Sequence, residues 1–144
     1  MPMNFSLTHK QVLSRDKTQT RRVTKPGDEL RRSNDGIPYI YNTISKRIRY
    51  CAGRDYAVQP GRSKHGLGKI RITDVRMEKL LDISVEGAMA ESILPEGTTR
   101  PDLPTEYLRG FIIYWEQLYG GTNNAWKHNP RVVVLKFELI ERYD

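Results

Sequence analysis

Cysteine occurs once in the 144 residues, at Cys51, which excludes a disulfide framework and a cysteine-based zinc site. Histidine is nearly as scarce. His9, His65 and His128 lie far apart and show none of the spacings that place two imidazoles on one metal. A Ser-His-Asp centre has equally little support. Long apolar runs are missing too: the longest, such as Val132 to Leu135, fall far short of the ~18 residues a membrane span needs. The opening MPMNFSLTHK lacks the basic segment and apolar core of a secretory leader. There is no internal repeat, low-complexity tract or linker. These absences lead us to expect a single domain over residues 1–144, in a reducing cytoplasm, with no membrane span, no metal and no cofactor.

What the chain has in quantity is charge of one sign. Charged residues make up 28% and the formal net charge is +7. Residues 1–76 hold 17 Lys/Arg against 6 Asp/Glu, a net of +11, whereas residues 77–144 hold 7 against 11, a net of −4. Such polarity points to one basic face that meets phosphate or another anion, with RNA as a possible partner.

The pattern of apolar residues predicts a β-rich order of elements. A short strand over Asn4–Leu7 leads into a helix capped by Thr8 and broken near Asp16. Lys17–Thr24, rich in Thr and Val, leans to strand. Lys25 to Pro38 carries Pro-Gly and Asn-Asp-Gly and reads as loop. Pro38–Cys51 makes one or two strands, Asp55–Gln59 another, and Gly61–Gly68 a basic loop. Lys69–Lys79 alternates Ile70, Ile72 and Val75 with polar residues, a strand with one wet face. Ser84 caps a short helix ending at Ser92. Thr105 caps a longer one whose Leu108, Phe111, Ile112, Trp115 and Leu118/Tyr119 form one stripe, stopped by Gly120-Gly121. In the final strand, Arg131–Ile140, Val133, Leu135, Phe137 and Leu139 face one way. Helices and strands do not alternate regularly, so the expected fold is α+β, a small, mostly antiparallel β-barrel or half-barrel with flanking helices.

The densest chemical cluster is Lys17-Thr18-Gln19-Thr20-Arg21-Arg22. Three cations and two hydroxyls in six residues can hold a phosphate, activate a nucleophile, or simply form a wet strand face. A Thr hydroxyl attacks nothing at neutral pH unless a base takes its proton. A lysine serves as that base once burial and neighbouring cations lower its pKa from about 10.4. One geometric condition applies: residues three apart in a regular strand face opposite ways. For Lys17 and Thr20 to act together, the chain must turn between the first helix and the strand. The Gly61–Gly68 loop lacks the GxxxxGK[ST] order of a triphosphate cradle. Trp126 suits either a core plug or a base-stacking residue.

The order of KTQTRR, DYAVQPGR, GKIRITDVR, the DISVEGAMAE helix and the closing FIIYWEQLYG…W…NPRVVVLKFEL resembles the ASCH domain, over about Phe5 to Leu139. ASCH domains are similar to PUA domains, small β-barrels associated with RNA, and the resemblance implies a PUA-like fold here. One bacterial branch that the chain resembles contains N4-acetylcytidine amidohydrolases, whose site combines the lysine and threonine of a K-x-x-T motif with a glutamate from the later helix. Carried onto this sequence, the resemblance implies Lys17 as general base, Thr20 as nucleophile and Glu91 as proton donor or positioner. The substrate would be a modified nucleoside of N4-acetylcytidine type. Backbone N–H groups after the motif, or Arg21 as a substrate-binding residue, would stabilise the developing oxyanion; from their position in the basic YAVQPGR loop, Gln59 would read the pyrimidine edge and Arg62 approach the ribose or a phosphate. This chain is longer than the small hydrolases, with extra sequence near residues 26–50 and 94–125. Other ASCH proteins resemble RNA binders or ribonucleases, which is the alternative reading.

Overall fold

The computed structural model describes residues 1–143. Five strands form the main sheet in the order β1 (Pro2–Asn4), β6 (Asp55–Gln59), β7 (Gly68–Lys79), β8 (Arg131–Arg142) and β2 (Gln19–Val23). Only β1–β6 is parallel; the other neighbours run antiparallel. A second, three-stranded sheet holds β3 (Asp28–Arg32), β4 (Pro38–Asn42) and β5 (Arg47–Cys51). The helices are α1 (His9–Leu13), α2 (Val85–Glu91) and α3 (Pro104–Tyr119).

Strand β8 organises the core because it is covered on both faces. Val133, Leu135, Phe137 and Leu139 pack with Ile70, Ile72, Val75 and Phe5 on one side. Val132 and Val134 pack on the other with Ala88 of α2 and Phe111 and Trp115 of α3. Each such side chain, fully buried, stabilises the fold by about 1.5–3 kcal/mol. Strand β7 bends to stay paired along this strand, with register shifts at Lys69/Ile70 and Ile72/Asp74.

The α+β class is as expected, but the sheets do not close into a barrel: among the described residues no ladder joins the main sheet to the β3–β4–β5 sheet. The end strand β1 is only three residues long and begins with Pro2, which has no N–H to give. Other expectations need correcting. The strand expected over Asn4–Leu7 lies earlier, at Pro2–Asn4. Asp28–Arg32, inside the segment read as loop, is a strand; four of its five residues are exposed, so no alternation betrays it. Thr8 does precede α1, yet it makes no side-chain cap bond. Thr105 lies inside α3, which begins with Pro104 in its first turn, where a missing N–H costs nothing. Ser84 caps α2 as expected, accepting from Gly87 N at 2.9 Å. Trp126 packs edge-on against Phe111, centroids 6.5 Å apart, as a core plug.

Candidate functional site

The segment between α1 and β2 is pinned from three sides, and this places Lys17. Lys17 N donates to Gln11 O at 3.0 Å, Thr18 N to Ala90 O at 2.8 Å, and Thr18 O accepts from Phe137 N at 2.9 Å. The bond to Ala90 sets Lys17 beside the last residue of α2, Glu91. There the helix ends because Ser92 turns left-handed (φ 61°) and its N–H bonds back to Ala88 O and Met89 O.

Glu91 is clasped by two cations. Lys17 Nζ donates to Oε1 at 2.6 Å and to the Glu91 carbonyl at 3.3 Å, while Arg21 Nη1 donates to Oε2 at 3.1 Å. Lys17 is 2% exposed and Glu91 1%. Arg21 is engaged further: Nε donates to Glu78 Oε1 at 3.0 Å and Nη1 to Gln19 Oε1 at 3.2 Å. Its Nη2 lies 3.0 Å from the same Glu78 oxygen without a bonding geometry. Gly87 makes room for this guanidinium, since a Cβ there would stand 2.6 Å from Nη2. The residue expected to bind substrate is thus bound to protein carboxylates.

Thr20 sits on the opposite face of β2. It pairs with Leu135 and so faces the Phe5–Phe137 side, whereas Arg21 pairs with Val134 and faces the helices. Its Oγ1 accepts from Arg22 Nε at 3.2 Å; Arg22 also donates to Asn4 O at 2.8 Å and stacks 4.9 Å over the Phe5 ring. Regular strand begins only at Gln19, so Lys17 is free of the alternation that would set it opposite Thr20. No hydrogen bond joins Lys17 to Thr20. Arg22 links them: it bonds the hydroxyl, and its charge acts on the amine.

Burial is the main force on Lys17 and pushes its pKa below the ordinary lysine value. Glu91 opposes that shift, and Arg22 and Arg21 add to it. Helix α3 supplies two phenols that the sequence reading assigned to no site. Burial, and then the Glu91 charge, push Tyr114 up to about 12. Burial raises Tyr119 as well; Arg22 opposes this and Tyr50 adds to it. The signal available was the α3 stripe, which included Tyr119 but not Tyr114.

The remaining expected residues are elsewhere engaged. Gln59 Nε2 donates to Lys64 O at 3.0 Å and ties down the basic loop. Arg62 is exposed on that loop. Neither bonds to Lys17, Thr20 or Glu91. Among the described residues no three His, Cys, Asp or Glu side chains cluster as a metal site, and no helix is long and apolar enough to cross a membrane.

This arrangement of sheet, short helix and long covering helix is also the fold of a solved ASCH domain. An ASCH domain from Lactobacillus crispatus JV V101 superposes with a TM-score of 0.53 at 15% identity, over 94% of this chain and 72% of its own. A protein of Enterococcus faecalis V583 that falls under the DUF984 family model superposes with a TM-score of 0.58 at 18% identity, over 99% of this chain and 82% of its own. At these identities the likeness is one of fold. No family model matches the sequence, and no curated protein does.

Proposed function

We propose that the chain is an amidohydrolase that removes the acyl group from N4-acetylcytidine-type nucleosides, with Lys17, Thr20 and Glu91 as its reacting groups. The observation that carries this reading is the buried Lys17–Glu91 pair at 2.6 Å, with a lysine pKa lowered by burial and a buried threonine bonded to the neighbouring Arg22. The Arg22 N–H occupies a lone pair of Thr20 Oγ1, which leaves the hydroxyl proton free to depart and stabilises the oxygen as it gains charge.

In the reaction, the opening that admits substrate brings Lys17 Nζ within hydrogen-bond reach of Thr20 Oγ1, and neutral Lys17 takes the Thr20 proton while Oγ1 bonds to the amide carbon. The tetrahedral centre collapses, the C–N4 bond breaks, and a proton from the Lys17–Glu91 pair passes to the cytosine amine. Water then hydrolyses the Thr20 ester, releasing the carboxylic acid and restoring both groups. Arg21 holds Glu91 from its other oxygen and acts as a positioning residue. Entry of substrate requires a local opening, because Lys17, Thr20 and Glu91 are each at most 5% exposed.

The test is incubation of the pure protein with N4-acetylcytidine, followed by its ultraviolet spectrum. Conversion to cytidine by the wild type, and none by Thr20→Ala or Lys17→Met, is the expected result. Conversion by either variant at near wild-type rate overturns the mechanism. A second reading, an RNA-binding or ribonucleolytic module, rests on the net +11 of residues 1–76. It predicts oligoribonucleotide affinity that falls steeply from about 50 to about 200 mM salt.

A further inference from the structure

Two buried cations converge on one buried carboxylate: Lys17 and Arg21 both donate to Glu91, and the side chains of all three are at most 1% exposed. One carboxylate does not balance two cations, and an uncompensated charge away from water is costly. The second negative charge comes from β7. Glu78 pairs with Val132 and Arg76 with Val134, so both stand on the helix side of the main sheet; Arg21 takes the same side from β2, also opposite Val134. The Arg21 side chain crosses β8 on the diagonal and gives Nε to Glu78 Oε1 at 3.0 Å. Among the described residues Glu78 and Glu91 are the acidic partners of Arg21, which lies between them in the space that Gly87 leaves open. Glu78 is the member that reaches water. Its side chain is 16% exposed and lines a cavity of about 640 Å³ between β3 and β7, and Arg76 stands 3.9 Å from its other oxygen. From that cavity a chain of contacts runs through Glu78, Arg21 and Glu91 to Lys17 Nζ, with no link longer than 3.1 Å.

We propose that Glu78 is a positioning residue for the Lys17–Glu91 site: it anchors the Arg21 guanidinium from behind and takes up part of its charge, so that Glu91 stays available to the lysine amine. The proposal rests on the hydrolase reading and adds to it a residue that touches no reacting group. The charges around Lys17 are Glu91 from α2 and Arg21 and Arg22 from β2; behind them stand Tyr114 of α3, which feels the Glu91 charge, and Glu78 and Arg76 of β7. Without the Glu78 charge, Arg21 acts undivided on Glu91 and Lys17. A nearby cation lowers the proton affinity of an amine, and Arg21 already adds to the lowering that burial imposes on Lys17. Loss of the Glu78 charge therefore moves the Lys17 titration to lower pH, and the rising limb of the pH–rate profile moves with it.

The test follows the Lys17 side-chain titration in the full chain by heteronuclear NMR, the Lys17 signal being the one absent from Lys17→Met. In parallel, pH–rate profiles are recorded for N4-acetylcytidine. Glu78→Gln keeps an oxygen for Arg21 Nε and removes the charge; it is expected to shift both midpoints to lower pH together. Glu78→Asp, which keeps the charge, should leave them near wild type. Glu78→Ala frees the guanidinium and should lower kcat by about tenfold or more with KM unchanged. In an Arg21→Met background, where the Lys17–Glu91 pair is still charge-balanced, Glu78→Gln should no longer move the Lys17 midpoint. A wild-type midpoint in Glu78→Gln, a shift just as large in the Arg21→Met background, or a KM that rises in Glu78→Ala while kcat holds overturns the proposal. Hydrolysis by the wild type together with an unmoved Lys17 midpoint in Glu78→Gln overturns it while leaving the hydrolase reading intact. A midpoint shift that requires Arg21, with no hydrolysis by the wild type, keeps the link from Glu78 to Lys17 and removes the hydrolase reading.

Discussion

Glu91 and Asp28 are both carboxylates whose side chains are 1% exposed, and both are held by cations. Their partners differ in kind. Asp28 bonds to Arg49, to Asn42 Nδ2 at 2.9 Å and to Lys25 N at 2.8 Å. A guanidinium, an amide and a backbone N–H do not release protons in water. Glu91 shares its proton-accepting oxygens between Arg21 and Lys17, and the lysine is pushed by burial toward its neutral form. A buried ion pair is therefore no sign of chemistry by itself; chemistry needs a cation that can give its proton up and a reacting group nearby. Asp28 closes a turn in a small sheet, whereas Glu91 poises an amine.

The largest effect that can break this contrast is on turnover. Thr20→Ala should lower N4-acetylcytidine hydrolysis by about 10³-fold or more, as loss of a nucleophile does, and Thr20→Ser should restore part of it. A residual rate within a few-fold of wild type would place the chemistry elsewhere.

Next comes stability. Glu91→Gln leaves Lys17 buried without a counter-charge and should cost about 3–5 kcal/mol in urea denaturation. Lys17→Met should cost less, because Arg21 still pairs with Glu91 at 3.1 Å, and the double variant should recover part of the loss. Asp28→Asn should cost only about 1–3 kcal/mol, since the Arg49 side chain is 16% exposed and reaches water. Equal costs for Glu91→Gln and Asp28→Asn would erase the distinction.

A smaller effect separates the sites by pH. Lys17's pKa in the fold lies below its unfolded value of 10.5. Between the two values only the unfolded chain holds the proton, so stability from this site rises with pH across that window. Hydrolysis should rise through the same lowered pKa and reach its plateau before 10.5. In Lys17→Met the stability slope from this site disappears; a pH–rate limb centred at or above 10.5 removes Lys17 as the base.

The smallest effect is spectroscopic. Tyr114 should ionise near 12 in an ultraviolet titration, held there first by burial and then by the Glu91 charge. Glu91→Gln removes the second cause and should bring the midpoint down. An unchanged midpoint would leave burial as the cause of the Tyr114 shift and contradict the Glu91 contribution.

How much of this was legible depends on where each residue finds its partners. Asp55–Gln59 was read at its observed limits and Ser84 as the α2 cap, because alternation and a capping hydroxyl are local signals. Lys17 and Glu91 were named as partners through a family resemblance, and the fold does bring them together. The Asp28–Arg32 strand was invisible: an edge strand wet on both faces satisfies its backbone through β4 and needs no apolar pattern. Val132 and Val134 were missed as core because one strand buried on two faces has no period to read. The bonds of Arg21 to Glu78 and of Arg22 to Thr20 depend on which face of β2 each side chain takes, and that is fixed by pairing with β8, more than a hundred residues away.

The central claim is that the Thr20 oxygen bonds to the acyl carbon. Its most direct measurement is peptide mass spectrometry of protein quenched during the first turnover of N4-acetylcytidine. An acetyl group on the peptide carrying Thr20, absent from Thr20→Ala and from Lys17→Met, is the predicted result. Release of cytidine with that peptide unmodified at every quench time, or acetyl found on Lys17 instead, contradicts it.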